Sequence, residues 1–379
     1  RVVLSSNPKA ILYFSSFGNL KLGGQKSLYH LVTRLDRKRY RPVVLLPTDE
    51  DFAEVLRQEG VEVAIFQLPA IGFANLFSCF TAVKYLFRLI AAEKIMLLHT
   101  DGPRNTLYAG LVSRLRFLPV VFHVRDSDRD RYDRLLYRCA DRIVLVADAL
   151  RERFHWVREG RKFITIYNGV DLSQFPKDRV ASPAPARPAF ADRILSIVCA
   201  GRIEPRKGQN DLIDACQELK ERKIPFQLLL AGDVEDDRYI AACRSRASEL
   251  KIADQVTFAG HIENMPAALQ KADIFVLPSI FGEAFSRAII EAMAAAKPVV
   301  ATDVGGAKEA IEDCVSGYVV PPADPRALAN KILSLALDEP LRRRFGAAAR
   351  RRVADLFTIE TNVRKTEQVY AELLGSTDS

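Results

Sequence analysis

The stretch FGEAFSRAIIEAMAAAKPVVATDVGG, residues 281–306, decides the reading of this chain. Residues 285–296 are rich in Ala, Ile and Met and predict a helix that opens just after Gly282-Glu283. The unpaired N–H groups of such a helix, at residues 284–286, make an anion site that a diphosphate would fit. Glu283 and Glu291 stand eight residues apart. Along a helix that is about 12 Å and a little over two turns, so Glu291 would share the face of the helix start yet lie far from it. An ionised carboxylate only accepts hydrogen bonds, which suits it to paired sugar hydroxyls. An apolar strand at 298–301 and the turn Gly305-Gly306 follow. Two isolated glutamates on a helix are ordinarily solvated. Flanked by PSIFGE and PVVATDVGG, they instead outline a site for a diphosphate carrying a hydroxylated group at each end, the shape of a nucleotide sugar.

A second element points the same way. The apolar run 194–200 is followed by GRIEPRKGQ, residues 201–209, and then by Leu212, Ile213, Ala215, Cys216 and Leu219 at helical spacing. Arg202 and Lys207 are thereby expected at the carboxyl end of a parallel strand, the edge where open α/β sheets bind ligands. A guanidinium and an ammonium there would neutralise a departing nucleoside diphosphate.

The order of these motifs resembles the retaining glycosyltransferases of family four. It runs from Gly23-Gly24 through YNGVD (167–171), GRxxxxKG (201–208), AGD (231–233) and PS (278–279) to Glu283-x7-Glu291 and then Gly305-Gly306 with Glu309 three residues on. The resemblance covers nearly the whole chain. It implies the α/β GT-B fold, two Rossmann-like parallel-sheet domains facing a central cleft, with the nucleotide sugar on the second domain and the acceptor on the first. Arg202 and Lys207 would hold the diphosphate, Glu291 the ribose and Glu283 the donor sugar, with Ala284, Phe285 and Ser286 lining the donor site. Residues 16–31 correspond to the family's first loop and helix, where Gly23 and Gly24 would let the backbone approach the reacting centre. FHVRD (122–126) resembles the family's strand-end histidine and places His123 near the donor sugar; His99, in IMLLHTDG (95–102), reads mainly as structural. The chain departs from the family where Glu-Gly-Phe-Gly is replaced by Glu283-Ala284-Phe285-Ser286 and AGDGP by residues 231–235, AGDVE. Ser286 still supplies an N–H and adds a hydroxyl, whereas losing the glycine after Asp233 bears on how the base is read.

At 379 residues the chain exceeds what one hydrophobic core usually serves, so two domains are expected. The expected division is 1–175 for the first domain, 176–192 for a Pro- and Ala-rich linker, 193–355 for the second domain and 356–379 for a last helix that, by resemblance, returns to the first. Thirteen short apolar runs alternate with helical patterns, as a parallel sheet in each domain requires. Six cysteines are scattered without a C-x-x-C pair and read as reduced core residues, and no leader is recognisable, so a cytoplasmic protein is expected.

Residues 1–175 carry 27 Lys and Arg against 18 Asp and Glu, which concentrates the net charge of +8 in the first half. Clusters at Arg34–Arg41 and Arg125–Arg138 are either solvated helix faces or a surface for an acidic partner: an anionic membrane or a phosphate-bearing lipid acceptor. Between them, residues 71–92 are apolar but interrupted by Lys84 and Arg88, which argues for a domain helix with one exposed edge and a shallow membrane contact, not a span. The chain would then be peripheral on the inner face of the membrane. No zinc or helix-turn-helix pattern suggests nucleic acid. Asp126, Asp128 and Asp130 mimic an Asp-x-Asp metal motif, but arginines interleave them and no other ligand joins, so neither metal nor cofactor is expected.

The expected function is transfer of a sugar from a UDP- or GDP-sugar to an acceptor hydroxyl, with retention at the anomeric carbon. A glycan or lipid-linked acceptor, as in lipopolysaccharide or other cell-surface glycan synthesis, is expected. Arg202, Lys207, Glu283 and His123 would be the catalytic groups. The alternatives are a nucleotide-sugar 2-epimerase of the same architecture and a non-catalytic nucleotide-sugar-binding protein.

Overall fold

The structure, a computed structural model, describes residues 7–20, 23–158, 160–176 and 194–375. Apart from Pro176, the linker expected at 176–192 lies outside the described residues. The chain forms two compact units: one is built from the chain up to Asn168 together with the stretch from Ile359 onward, and the other is Gly169–Thr358.

The first unit holds a seven-stranded parallel sheet in the order β3-β2-β1-β4-β5-β6-β7. Its strands are β1 (Lys9–Phe14), β2 (Tyr40–Leu46), β3 (Glu62–Ile65), β4 (Ile95–Asp101), β5 (Val120–Val124), β6 (Arg142–Leu145) and β7 (Phe163–Thr165), and its first five helices are α1 (Gly23–Arg34), α2 (Asp51–Gln58), α3 (Leu76–Ala92), α4 (Pro103–Arg116) and α5 (Asp133–Cys139). Side chains alternate across a strand, and β1 uses both faces. Ile11 and Tyr13 enter a core with Leu28, Leu31 and Val32 of α1, whereas Ala10, Leu12 and Phe14 enter a second core with Ala82 and Leu86 of α3 and Val112 of α4.

The second unit holds a six-stranded parallel sheet in the order β10-β9-β8-β11-β12-β13. The strands are β8 (Leu195–Ala200), β9 (Phe226–Ala231), β10 (Val256–Gly260), β11 (Ile274–Leu277), β12 (Val299–Thr302) and β13 (Gly317–Val320), and the helices are α6 (Gln209–Glu221), α7 (Asp237–Glu249), α8 (Met265–Lys271), α9 (Arg287–Ala294), α10 (Ala307–Ala310), α11 (Pro325–Leu337) and α12 (Glu339–Leu356). β11 and β12 are buried at every position, as central strands covered on both faces must be. Side chains of Asp236, Asn264, Asp324 and Asp338 accept from the first-turn N–H groups of α7, α8, α11 and α12, so these helices begin where their caps stand.

The last helix, α13 (Ile359–Leu373), belongs to the first unit and lays Ile359, Val363, Val369 and Tyr370 into the core shared by β1 and α1. All six cysteines are free thiols, and burial pushes those of Cys199 and Cys243 up to about 12 and about 11.

Candidate functional site

In the second unit the strand order runs outward in opposite directions from β8 and β11, so the two strands flank the point where parallel α/β sheets open a crevice at their carboxyl ends. The loops leaving these strands carry Arg202 and Lys207 on one side and Glu283 on the other. The Lys207 Nζ lies 2.5 Å from the Glu283 Oε2, both side chains being largely buried. Ser279 Oγ donates to the same oxygen at 3.0 Å. Both bonds fall on Oε2, which leaves Oε1 to accept from hydroxyls.

Arg202 joins the same network through Glu204, whose Oε1 lies 3.3 Å from Arg202 Nη2 and accepts from Arg206 Nε at 2.8 Å. Arg206 in turn donates to the Gly282 carbonyl at 3.2 Å, and its own carbonyl accepts from Ile280 N at 2.8 Å. The two loops are thus stitched together before any ligand arrives. Glu204, Arg206 and Ser279 went unremarked in the sequence reading. The first two occupy the unspecified positions of GRxxxxKG, and the serine lies in the quoted PS.

The helix after Glu283 differs from the sequence expectation. α9 begins at Arg287, not at residue 285, because Ser286 is its N-cap: φ −73° and ψ 118° put it outside the helix, and its Oγ accepts from Ile289 N at 3.5 Å. Ala284, Phe285 and Ser286 are therefore buried loop residues whose N–H groups are not the helix end, and the helix-distance argument between Glu283 and Glu291 does not hold. The orphan N–H groups belong to the turn starting at Arg287. The helix closes at Ala294, with Ala296 in the left-handed region at φ 56°.

Phe285 packs its ring 5.3 Å from Phe357, and the Ala284 carbonyl accepts from Gly306 N at 2.7 Å. Gly305, at φ +56°, presses on the same segment: a Cβ there would lie 1.9 Å from the Glu283 carbonyl oxygen. Only glycine lets the turn after β12 lie under Glu283. Glu291 sits one turn into α9, where Arg287 Nη2 donates to its Oε1 at 3.3 Å while Arg287 Nη1 holds the Gly169 carbonyl at 3.2 Å.

His123 and His99 belong to the first unit and are buried at 2% and 3% exposure. His123 is the fourth residue of β5; His99 is inside β4, not at its end. His99 Nε2 lies 3.2 Å from His123 Nδ1, and His99 Nδ1 lies 2.6 Å from the Tyr370 hydroxyl on α13. Arg125 Nη2 also reaches His123 Nδ1 at 3.2 Å. Burial, reinforced by the Arg125 charge, holds His99 down at about 3 and His123 well below the usual histidine range, so both rings are neutral at pH 7. Gly23 and Gly24 open α1, where Ser27 Oγ donates to the Gly23 carbonyl at 3.0 Å; a Cβ on Gly24 would sit 3.5 Å from Arg125 Cδ, an ordinary contact.

The first unit has its own reversal point, between β1 and β4. A 330 Å³ cavity opens at their carboxyl ends, walled by Phe14, Leu45, Phe66 and Leu68 and edged by Ser16 and Arg104. Beside it Asp101 accepts from Ser16 Oγ and Asn105 Nδ2, each at 2.9 Å. Of the acidic triplet, Asp126 is tied to Arg153 at 2.6 Å and Asp130 accepts from Tyr132 N at 2.8 Å. Among the described residues no group of three or more potential metal ligands occurs.

Two parallel-sheet units with ligand-binding edges define the GT-B class of folds, and solved structures agree. A glycosyltransferase from Rickettsia africae superposes with a TM-score of 0.84 at 22% identity over 98% of this chain and 100% of that one. Anabaena HepE in complex with UDP-glucose superposes with a TM-score of 0.78 at 22% identity over 96% and 99%. The model of glycosyl transferases group 1 matches residues 186–352, and that of glycosyltransferase family 4 matches residues 23–174. The chain belongs to the family 4 glycosyltransferases. It is 32% identical to a phosphatidyl-myo-inositol mannosyltransferase of Mycobacterium leprae over 54% of this chain and 52% of that protein. It is 31% identical to a putative colanic acid biosynthesis glycosyltransferase of Escherichia coli over 53% and 49%. The chain thus spans about half the length of the curated relatives it matches.

Proposed function

We propose that the protein transfers a glycosyl group from a nucleotide sugar to an acceptor hydroxyl, with retention at the anomeric carbon. The observation that carries this reading is the Lys207–Glu283 pair at the reversal point of the second sheet, with Arg202 tied to the same loops through Glu204 and Arg206. A lysine ammonium has three donors. With one on Glu283, the others remain for a phosphate, and Arg202 and the first turn of α9 add positive potential for the leaving diphosphate. The open oxygens of Glu283 and Glu291 accept hydroxyls of the donor sugar and of the ribose. Neither carboxylate is assigned as a nucleophile. The acceptor attacks from the face the leaving group departs, and the phosphate takes its proton.

The acceptor is assigned to the cavity between β1 and β4, where Ser16 and Arg104 offer a hydroxyl and a cation beside an apolar wall. A phosphate-bearing lipid or glycan suits that combination. On α3 and at the end of α4 of the same unit, Leu76, Phe77, Phe80, Leu115 and Phe117 are exposed, as are the cations Lys84, Arg88, Arg114 and Arg116 of the same two helices, and this combination supports contact with an anionic membrane surface. No helix among the described residues is long and apolar enough to cross a membrane.

A panel of UDP- and GDP-sugars, tested without metal for thermal stabilisation and turnover, examines the reading directly. Stabilisation by one donor, with release of its nucleoside diphosphate, is expected; recovery of only an epimerised donor would assign an isomerase instead. Glu283→Ala should lower turnover about 100-fold or more with the fold intact. Full activity in that variant removes the assigned role.

A further inference from the structure

The protons of the buried histidine pair can be placed one at a time. An arginine side chain carries donors and no acceptor. Since Arg125 Nη2 stands 3.2 Å from His123 Nδ1, that nitrogen must present its lone pair. His123, neutral, then carries its hydrogen on Nε2. His99 Nε2 faces the same lone pair at 3.2 Å, so it must be an N–H donor. That makes His99 Nδ1 the acceptor, and the Tyr370 hydroxyl at 2.6 Å its donor. The direction of donation runs from α13 through β4 to β5, and Arg125 and His99 share the one lone pair of His123 Nδ1.

One donor is left over. His123 Nε2 is buried and has no hydrogen-bond partner among the described residues. A buried N–H without an acceptor keeps an unrepaid desolvation penalty, which an arriving oxygen removes. The rings around the relay are closely set: Tyr13 to His99 at 5.2 Å and Tyr40 to Tyr370 at 5.7 Å. The packing leaves the phenol and the imidazoles little freedom to turn.

We propose that Tyr370 and His99 are positioning residues that hold His123 in its Nε2–H form, so that His123 meets a ligand oxygen as a hydrogen-bond donor and not as a base. The assignment rests on the reading of His123 as a donor-sugar contact. It adds that the last helix of the chain sets the polarity of that contact.

Long-range 1H–15N spectra of chain labelled with 15N-histidine, assigned through His99→Gln and His123→Gln, test the relay without turnover. Hydrogen on Nε2 of both residues is expected. Tyr370→Phe should shift His99 toward its Nδ1–H form and lower kcat about 10-fold or more, with the donor KM nearly unchanged, measured with whichever of UDP-glucose and GDP-mannose is turned over. His99→Gln, which keeps one acceptor and one donor, should retain more activity than His99→Leu. A hydrogen on His123 Nδ1 in the unsubstituted chain overturns the proposal, as does a Tyr370→Phe variant with unaltered spectra and kcat. If His123→Ala turns over normally, the donor reading fails, and the spectra alone decide the relay.

Discussion

Lys207 and Glu283 are 76 residues apart and end up 2.5 Å apart, because each sits on the first loop after one of two neighbouring strands. Both were recognisable as charged residues in motif positions. Their pairing was not, since adjacency in a parallel sheet is a property of strand order and leaves no local trace. Gly305 makes the same point. Its Gly-Gly dipeptide announces a turn, but only the packing reveals that the missing Cβ makes room for the Glu283 carbonyl. Gly305→Ala should therefore cost about 1–3 kcal/mol and also weaken stabilisation by UDP or GDP. Gly260, at φ +63° with nothing within 4 Å of a built Cβ, is the control. There alanine pays only the dihedral strain, about 1 kcal/mol, with nucleotide stabilisation retained; equal losses at both positions in thermal melts would show that the contact under Glu283 is unimportant.

Among elements, the strands were the most legible, because central parallel strands are short uninterrupted apolar runs. The start of α9 was misplaced by two residues. Ala and Phe ahead of Ser286 fit a helix by propensity, and the cap that excludes them is one hydroxyl among several candidates. α3 was expected as a helix with one exposed edge. Ala82, Leu86 and Ile90 face the core, whereas Phe77 and Phe80 are 84% and 67% exposed. If that edge meets a membrane, Phe77→Ser with Phe80→Ser should reduce sedimentation with anionic vesicles about tenfold or more. Thermal stability should change by no more than about 0.5 kcal/mol, since neither ring is in the core. Unchanged vesicle binding would point to the exposed arginines alone.

For the whole molecule, the two-sheet organisation followed from length and alternating patterns, while the meeting of Tyr370 with His99 could not, being a contact across 271 positions. The burial of His99 has a pH signature. His99 is held at about 3 by burial first and Arg125 second, against about 6.5 in an unfolded chain. Between those values the unfolded chain binds a proton that the folded one refuses, so stability falls as pH drops from about 6.5 toward 3. At pH 5 the loss due to His99 is about 2 kcal/mol. His123 acts in the same direction; Asp101, raised by burial, opposes it as acidity increases. Tyr13, Tyr370, His123 and Arg125 surround the ring, and only His123 among them titrates with the same sense in this window. Melting curves from pH 7.5 to 5 should therefore be steeper for the unsubstituted chain than for His99→Gln. Parallel curves would mean that His99 accepts a proton in the folded state.

The helix carrying Tyr370 also orders events during synthesis. Ribosomes deliver β1 through β7 long before α13, and everything between Gly169 and Thr358 emerges in the meantime. The second unit can close as soon as its own stretch is out. The first must wait, its sheet uncovered along the surface later occupied by Val363, Val369 and Tyr370. A released chain truncated after residue 358 would consequently present a protease-resistant second half beside a susceptible first half, the reverse of the order in which they were translated.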